Sequence, residues 1–185
     1  LLGENGAGKT TLMNILYGMF APTDGAITIN GKTCANMTPK EAIDAGIGMV
    51  HQHFMLIEPL TVIENIILGY EEDTGLFLDR KKAREKIQNL SDEYSLHISP
   101  DAKVEDISVG QQQRVEILKA LYRGADVLIF DEPTAVLTPQ EIKEFIDIVN
   151  KLTTMDKSII IITHKLSEIK AMADYCTIIR RGKYI

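Results

Sequence analysis

The sequence predicts an α/β fold: a mainly parallel sheet, a small antiparallel β part and an inserted α-helical segment. Three observations carry this. Residues 127–131 (VLIFD) and 158–163 (SIIIIT) are short, unbroken, β-branched runs, as expected of strands buried on both faces of a parallel sheet. From residue 125 onward such runs alternate with helical patterns, whereas 60–123 reads as mostly helical, which suggests a helical insert within an α/β core. A glycine-rich octapeptide, GENGAGKT at residues 3–10, stands between Leu1-Leu2, read as the end of a strand, and residues 11–17, read as a helix.

The remaining elements follow in order. Ala26 to Asn30 (AITIN) is a strand between the turn signals PTDG and NG. Thr38-Pro39 opens a helix, with Thr as N-cap and Pro at the first helical position. Ile47 to His51 is a further strand. Asp79 opens a helix that places Ala83, Ile87, Leu90 and Tyr94 on one stripe. Thr138-Pro139 opens another, with Ile142, Phe145, Ile146, Val149 and Leu152 expected on its buried face. Tyr175 to Arg180, with Gly182 as a turn, suggests a closing hairpin. There is no short-period repeat and no low-complexity tract.

Composition narrows the function classes. With 185 residues, 45% hydrophobic and 25% charged, the chain is one ordinary globular domain rather than a disordered, fibrous or coiled-coil chain. The net charge of −6 and the lack of a dense basic run argue against a nucleic-acid partner. No apolar stretch approaches the ~18 residues of a membrane span, so a membrane role is expected to come through a partner. Cys34 and Cys176 lie far apart, form no metal pattern and read as reduced thiols. The first residues, Leu1-Leu2-Gly3, and the last, Lys183-Tyr184-Ile185, read as cut points, so a fragment of a longer polypeptide is expected.

Several motifs carry chemistry. GENGAGKT matches G-x-x-x-x-G-K-[ST]: its glycines let successive backbone N–H groups point at phosphate oxygens, and the helix that follows adds its positive end. Lys9 is expected to reach the outer phosphates and Thr10 to offer its hydroxyl to Mg²⁺. Val127 to Glu132 (VLIFDE) delivers two carboxylates at the C-terminal end of a strand, where open α/β sheets place their ligands. Asp131 is expected to serve Mg²⁺, and Glu132 to polarise an attacking water. Ser108, followed by Val109, Gly110 and Gln111, begins a helix with exposed amide donors and a hydroxyl. Taken singly, Ser108 is an ordinary helix cap, Gln52 a solvated strand-end amide and His164 a loop histidine.

Their order is more informative than any member. A phosphate loop (residues 3–10), a Gln after a strand (Gln52), an S-x-G-Q signature (Ser108 to Gln111), a strand ending Asp131-Glu132 and a late His (His164) together resemble an ABC-type ATPase, over essentially the whole chain. The resemblance implies one ABC-type ATP-binding domain, 1–185, with a helical subdomain over roughly 53–123. It implies nucleotide contacts from Gly3, Glu4, Asn5, Gly6, Ala7, Gly8, Lys9, Thr10 and Thr11, and Mg²⁺ held by Thr10, Gln52 and Asp131. It implies that Glu132 acts as base, that His164 touches the γ-phosphate and aligns Glu132 and the water, and that Gln52 senses the γ-phosphate and links to the helical subdomain. Ser108, Val109, Gly110 and Gln111 would contact ATP held by an opposing ATPase domain. The family's adenine-stacking aromatic falls upstream of the phosphate loop, ahead of Leu1.

Two positions depart from the family pattern. Val109 stands where the signature usually has Gly, and its Cβ restricts backbone approach to phosphate. Thr138 stands where the loop after the carboxylates usually has Asp. Thr at that place resembles the branch serving sugar and nucleoside importers, whose two ATPase halves are fused. The resemblance therefore implies an ATP-hydrolysing subunit of such an importer, on the cytoplasmic face of the membrane. Its partners would be permease subunits, a second ABC ATPase domain and, indirectly, a substrate-binding lipoprotein. The alternatives are a soluble ABC ATPase of translation or DNA repair, and a nucleotide-gated half with little turnover. Residues 53–107 are too few for the long coiled coil of the repair proteins.

Overall fold

The computed structural model describes residues 1–29, 31–69 and 79–185. Asn30, the end of the first expected strand, and residues 70–78 of the expected helical stretch lie outside the described residues. The elements in order are α1 (Lys9–Leu16), β1 (Ile27–Ile29), β2 (Lys32–Cys34), α2 (Pro39–Asp44), β3 (Ile47–Val50), α3 (Val62–Ile67) and α4 (Arg80–Glu93). A 3₁₀ turn (Val104–Asp106) precedes α5 (Val109–Tyr122), β4 (Val127–Asp131), α6 (Pro139–Thr154), β5 (Ser158–Ile162), α7 (Leu166–Met172), β6 (Ile179–Arg180) and β7 (Lys183–Tyr184).

The central sheet runs β3-β4-β5, all parallel, in the register Val50↔Phe130 and Asp131↔Ile162. Leu2 extends it beyond β5, bridging in parallel to Thr163 and to Ile178. Parallel strands buried on both faces need apolar side chains on both, and successive residues supply them. Leu128 and Phe130 enter a core shared with α3, α4, α5 and α6, while Ile129 and Ile162 enter another with Met13 of α1 and Ala42 of α2. Phe130 meets Phe145 of α6 edge to face, ring centroids 5.2 Å apart. On β3, Gly48 lets α5 approach closely, because a Cβ there would stand 2.8 Å from the Ala120 methyl.

The helix starts are specified locally. Thr38, Thr61, Ser108 and Thr138 each form a capping box with the Glu or Gln three residues on, and Asp79 accepts from the Lys81 and Lys82 amides. Ala83, Ile87 and Tyr94 of the expected α4 stripe are buried, with Leu90 packed at the margin. The α6 face differs from expectation: Phe145, Ile148, Val149 and Leu152 are buried, while Ile142 and Ile146 are only partly covered. The stripe turns toward Ile148, which lines a cavity with Tyr94 at the end of α4 and Arg114 of α5. Two small antiparallel pairs complete the fold, β1 with β2 and β6 with β7. The second turns through Arg181 and Gly182, both at positive φ (50° and 73°) as two-residue hairpins require. Among the described residues no helix is long and apolar enough to cross a membrane.

Candidate functional site

The parallel register brings the C-terminal ends of β3, β4 and β5 to one edge, and α1 begins at that edge. Gly3 packs so closely on the hairpin that an added Cβ would stand 2.4 Å from the Ile179 carbonyl oxygen. Gly6 and Gly8 take φ of 79° and 98°, which curls the loop before α1. α1 opens on Gly8 with no side-chain cap, unlike the capping-box helices, so its first N–H groups are left for another acceptor. A helix start without its own cap is a ready anion site.

Lys9 is 5% exposed, and its Nζ donates to the carbonyl oxygens of Gly3 (2.8 Å) and Glu4 (3.0 Å). The cation is thereby held inside the curl of its own loop. Glu4, Asn5 and Gly6 form the exposed rim, Ala7 is buried, and Thr10 and Thr11 stand exposed at the helix start. Thr10 Oγ1 donates to Asp131 Oδ1 at 3.2 Å, joining the loop to the end of β4. Asp131 is 5% exposed. Burial pushes its carboxyl above the usual range; the Thr10 hydroxyl opposes this, and the Glu132 charge adds to it. A buried carboxylate that is only partly compensated, beside a hydroxyl and a phosphate-type loop, fits a small oxygen-binding cation such as Mg²⁺, which takes few protein ligands and fills the rest with water and phosphate.

Glu132 has φ of 47°, left-handed backbone in a residue with a full side chain. Such a conformation costs on the order of 1–3 kcal/mol and clusters at functional sites. Its amide donates to the Ile162 carbonyl (2.9 Å), and its Oε1 lies 3.3 Å from His164 Nδ1. The two expected partners, 32 positions apart in sequence, therefore meet across β4 and β5. Gln52 stands exposed in the bend after β3. That bend is tied to the helices through Met55 N to Glu116 Oε1 of α5 (2.8 Å) and Ile57 N to Asn65 Oδ1 of α3 (2.7 Å).

The signature lies at the start of α5. Ser108 and Val109 are exposed and Gly110 is buried. Gln111 Oε1 accepts from Ser108 N at 3.0 Å, closing the capping box. Glu141 of α6 joins in: its Oε1 accepts from Ser108 Oγ (3.2 Å) and Gly110 N (3.0 Å), and its Oε2 from Thr138 N (3.0 Å) and Oγ1 (2.9 Å). The Thr138 backbone and hydroxyl, with Gly110 and Ser108, hold the Glu141 carboxyl below its usual range. Thr138, the departure from the family pattern, is thus the cap that aims Glu141 at the signature. Gln113 of α5, 2% exposed, donates to the Pro133 carbonyl (2.7 Å), linking the signature helix to the residue after Glu132. Sequence reading missed Glu141, Gln113 and Glu116. Glu141 had a signal, the T-x-x-E of residues 138–141; the other two are ordinary polar residues in a helical pattern.

Comparison with known proteins bears on the same residues. The family model described as ABC transporter matches residues 1–135. The chain is 62% identical over 185 residues to the nucleoside import ATP-binding protein NupA of Lactococcus lactis subsp. cremoris, covering all of this chain and 37% of that protein. It is 59% identical over 185 residues to the guanosine import ATP-binding protein NupO of Bacillus subtilis, covering all of this chain and 36% of that protein. The chain thus spans little more than a third of the length of these curated relatives. Among solved structures, cbiO1 from Clostridium perfringens, part of the cbiONQ ABC transporter complex, superposes with a TM-score of 0.81 at 27% identity, covering all of this chain and 73% of that one. The dimeric post-hydrolysis ATP-binding cassette MJ0796 bound to ADP and Pi superposes with a TM-score of 0.79 at 26% identity, covering 99% of this chain and 81% of that one.

Proposed function

The chain belongs to the ABC transporter family, and from that premise we propose that it binds and hydrolyses ATP to power import of nucleosides or simple sugars. The observation that carries the chemistry is the single edge on which Lys9, Thr10, Asp131, Glu132 and His164 converge. The phosphates of ATP lie in the loop of residues 3–10, against the uncapped start of α1, with Lys9 turned from the loop carbonyls toward them. Thr10, Asp131 and Gln52 would hold Mg²⁺, which would supply charge neutralisation to the phosphate oxygens. Glu132 accepts a proton from the attacking water, and His164, hydrogen-bonded to Glu132, sets its orientation and meets the γ-phosphate. Phosphoryl transfer needs little covalent help from protein, so positioning and electrostatics supply most of the acceleration.

Ser108, Val109, Gly110 and Gln111 face outward and serve ATP held by a second ABC ATPase domain. The helical subdomain, roughly 53–123, carries the signature and is joined to Gln52 through the bend held by Glu116 and Asn65. Permease subunits dock there, which places the protein on the cytoplasmic face of the membrane, with a substrate-binding lipoprotein as indirect partner and no nucleic acid. Nucleosides and sugars are favoured because the import ATP-binding proteins of Lactococcus, Bacillus and other organisms resemble the chain along its full length.

The test is Glu132→Gln in the intact protein, which keeps shape but removes the proton acceptor. ATP affinity stays within about twofold while hydrolysis falls roughly 10²- to 10⁴-fold, the usual loss on removing a general base. Hydrolysis at the normal rate would assign the base elsewhere.

A further inference from the structure

We propose that Glu168 is a positioning residue: its buried carboxylate clips the loop after β4 to the loop after β5 and so holds Glu132 and His164 together. The inference rests on the hydrolytic reading above and adds a part to it.

Glu168 lies in the first turn of α7 and is 4% exposed. A carboxylate so buried is costly unless its oxygens are hydrogen-bonded. Both are. Oε2 accepts from Thr163 Oγ1 at 2.7 Å, and Oε1 accepts from Thr134 Oγ1. Lys165 Nζ supplies the counter-charge 3.3 Å from Oε1. Thr163 is the residue before His164, and Thr134 is two beyond Glu132. Both threonines are buried, at 3% exposure each.

The direction of every bond is fixed. Thr163 Oγ1 already accepts from Lys165 N (3.0 Å), and Thr134 Oγ1 already accepts from Lys165 Nζ (3.0 Å). Each hydroxyl has one proton, so each must donate it to Glu168. A carboxylate has an acceptor oxygen for both; an amide has only one. Glu168→Gln therefore breaks one side of the clip while keeping volume. Lys165 Nζ strengthens the same clip by donating to the Thr134 carbonyl as well as to its hydroxyl; beyond this cluster the two loops meet at the Glu132 N to Ile162 O bond and at the Glu132–His164 pair itself, at 3.3 Å and with the His164 ring half exposed. That pair is too open to fix its own geometry, because water competes for a half-exposed hydrogen bond.

The experiment uses the intact protein and four backgrounds: wild type, Glu168→Gln, His164→Ala and the double variant. Glu168→Gln is expected to leave KM for ATP within about twofold and lower kcat about tenfold; misplacing reacting groups by an ångström can cost on the order of 10²-fold. In the His164→Ala background the same change should have almost no further effect, because the pair it positions is already gone. Thr134→Val should mimic Glu168→Gln and Thr134→Ser should restore the rate, which keeps the test decisive if Glu168→Gln folds poorly. Side-chain ¹⁵N spectra of labelled histidine, assigned with His164→Ala, give a readout independent of turnover: Nδ1 of His164 carries the proton toward Glu132 in the wild type and loses that preference in Glu168→Gln. An equal kcat loss with and without His164, or an unchanged His164 tautomer, overturns the clip. The hydrolytic reading is judged separately by Glu132→Gln; if that variant alone retains full turnover, that reading fails whatever the spectra show of the clip.

Discussion

The phosphate-loop edge and the start of α5 are both helix N-termini built to face negative charge, yet they are finished differently. α1 has no side-chain cap, and its Lys9 and the neighbouring Asp131 are buried to 5% exposure. α5 is capped twice over, by Gln111 within its own box and by Glu141 from α6, and its Ser108 is exposed. The first region gathers residues 3–10, 131–132 and 164 onto one edge, with the first N–H groups of α1 left uncapped. The second presents a hydroxyl and amides outward from a start whose internal anion is already in place. On the proposed function these are the two unlike halves that a composite site between two domains would need.

The sharpest way to break that comparison is to damage each region in turn. Lys9→Ala is expected to weaken ATP binding by about 10- to 100-fold, the scale of a lost charge-assisted hydrogen bond, as read by calorimetry on the intact protein. Ser108→Glu should leave that binding within about twofold but prevent ATP-driven closure of two domains, through like-charge repulsion at the γ-phosphate, as read by crosslinking. If Ser108→Glu weakened binding as much as Lys9→Ala, the two regions would be one site.

A smaller effect tests the double cap. Glu141→Ala removes the N3 partner of Thr138 and the bridge to Gly110, with an expected loss of about 1 kcal/mol in unfolding free energy, the usual worth of a cap. Its pH dependence has a defined sign. The Glu141 carboxyl is held low by Thr138 and Gly110, so its contribution is present above the ordinary carboxylate range and fades as pH falls through the lowered value. The wild-type advantage over Glu141→Ala should therefore shrink on acidification, and a constant difference from pH 7 to pH 3 would remove Glu141 from this role.

The smallest effect on stability belongs to the other region and has the opposite sign. Asp131 is pushed up by burial, so the fold is favoured when it is protonated, and that contribution is lost as pH rises through its titration. Asp131→Asn should raise the melting temperature of the metal-free protein at neutral pH, with the gain vanishing at low pH, while abolishing Mg²⁺-dependent hydrolysis. A variant less stable than wild type at neutral pH would show that the Thr10 bond outweighs the burial cost.

Much of this was legible because it is local. GENGAGKT, the VLIFD and SIIIIT runs, and the Thr-Pro helix starts at residues 38 and 138 each encode their structure within a few positions. Ile47–Val50 came out within a residue of the expected 47–51 and Ile27–Ile29 lies within the expected 26–30, whereas the expected 175–180 strand shortened to Ile179–Arg180. The α6 face was misjudged at Ile148 because the residues beside it, Tyr94 and Arg114, lie far away in sequence, so the buried arc is shifted from the expected stripe. Glu168, Gln113 and Glu116 carried no spacing that distinguishes them from solvated polar residues, and the left-handed backbone of Glu132 left no mark on its neighbours in sequence.

By itself the sequence determined which residues are candidates for the chemistry and where the main strands and capped helices begin, since both follow from side-chain type and short-range backbone geometry. Only the tertiary structure decided the pairings: Thr10 with Asp131, Glu132 with His164, Glu141 with Ser108 and Gly110, Glu168 with Thr134 and Thr163. Each pair joins residues on different elements, and their meeting depends on the register of parallel strands and the packing of helices on either face. A buried polar group finds its partner across the fold, and nothing in its own neighbourhood of sequence names that partner.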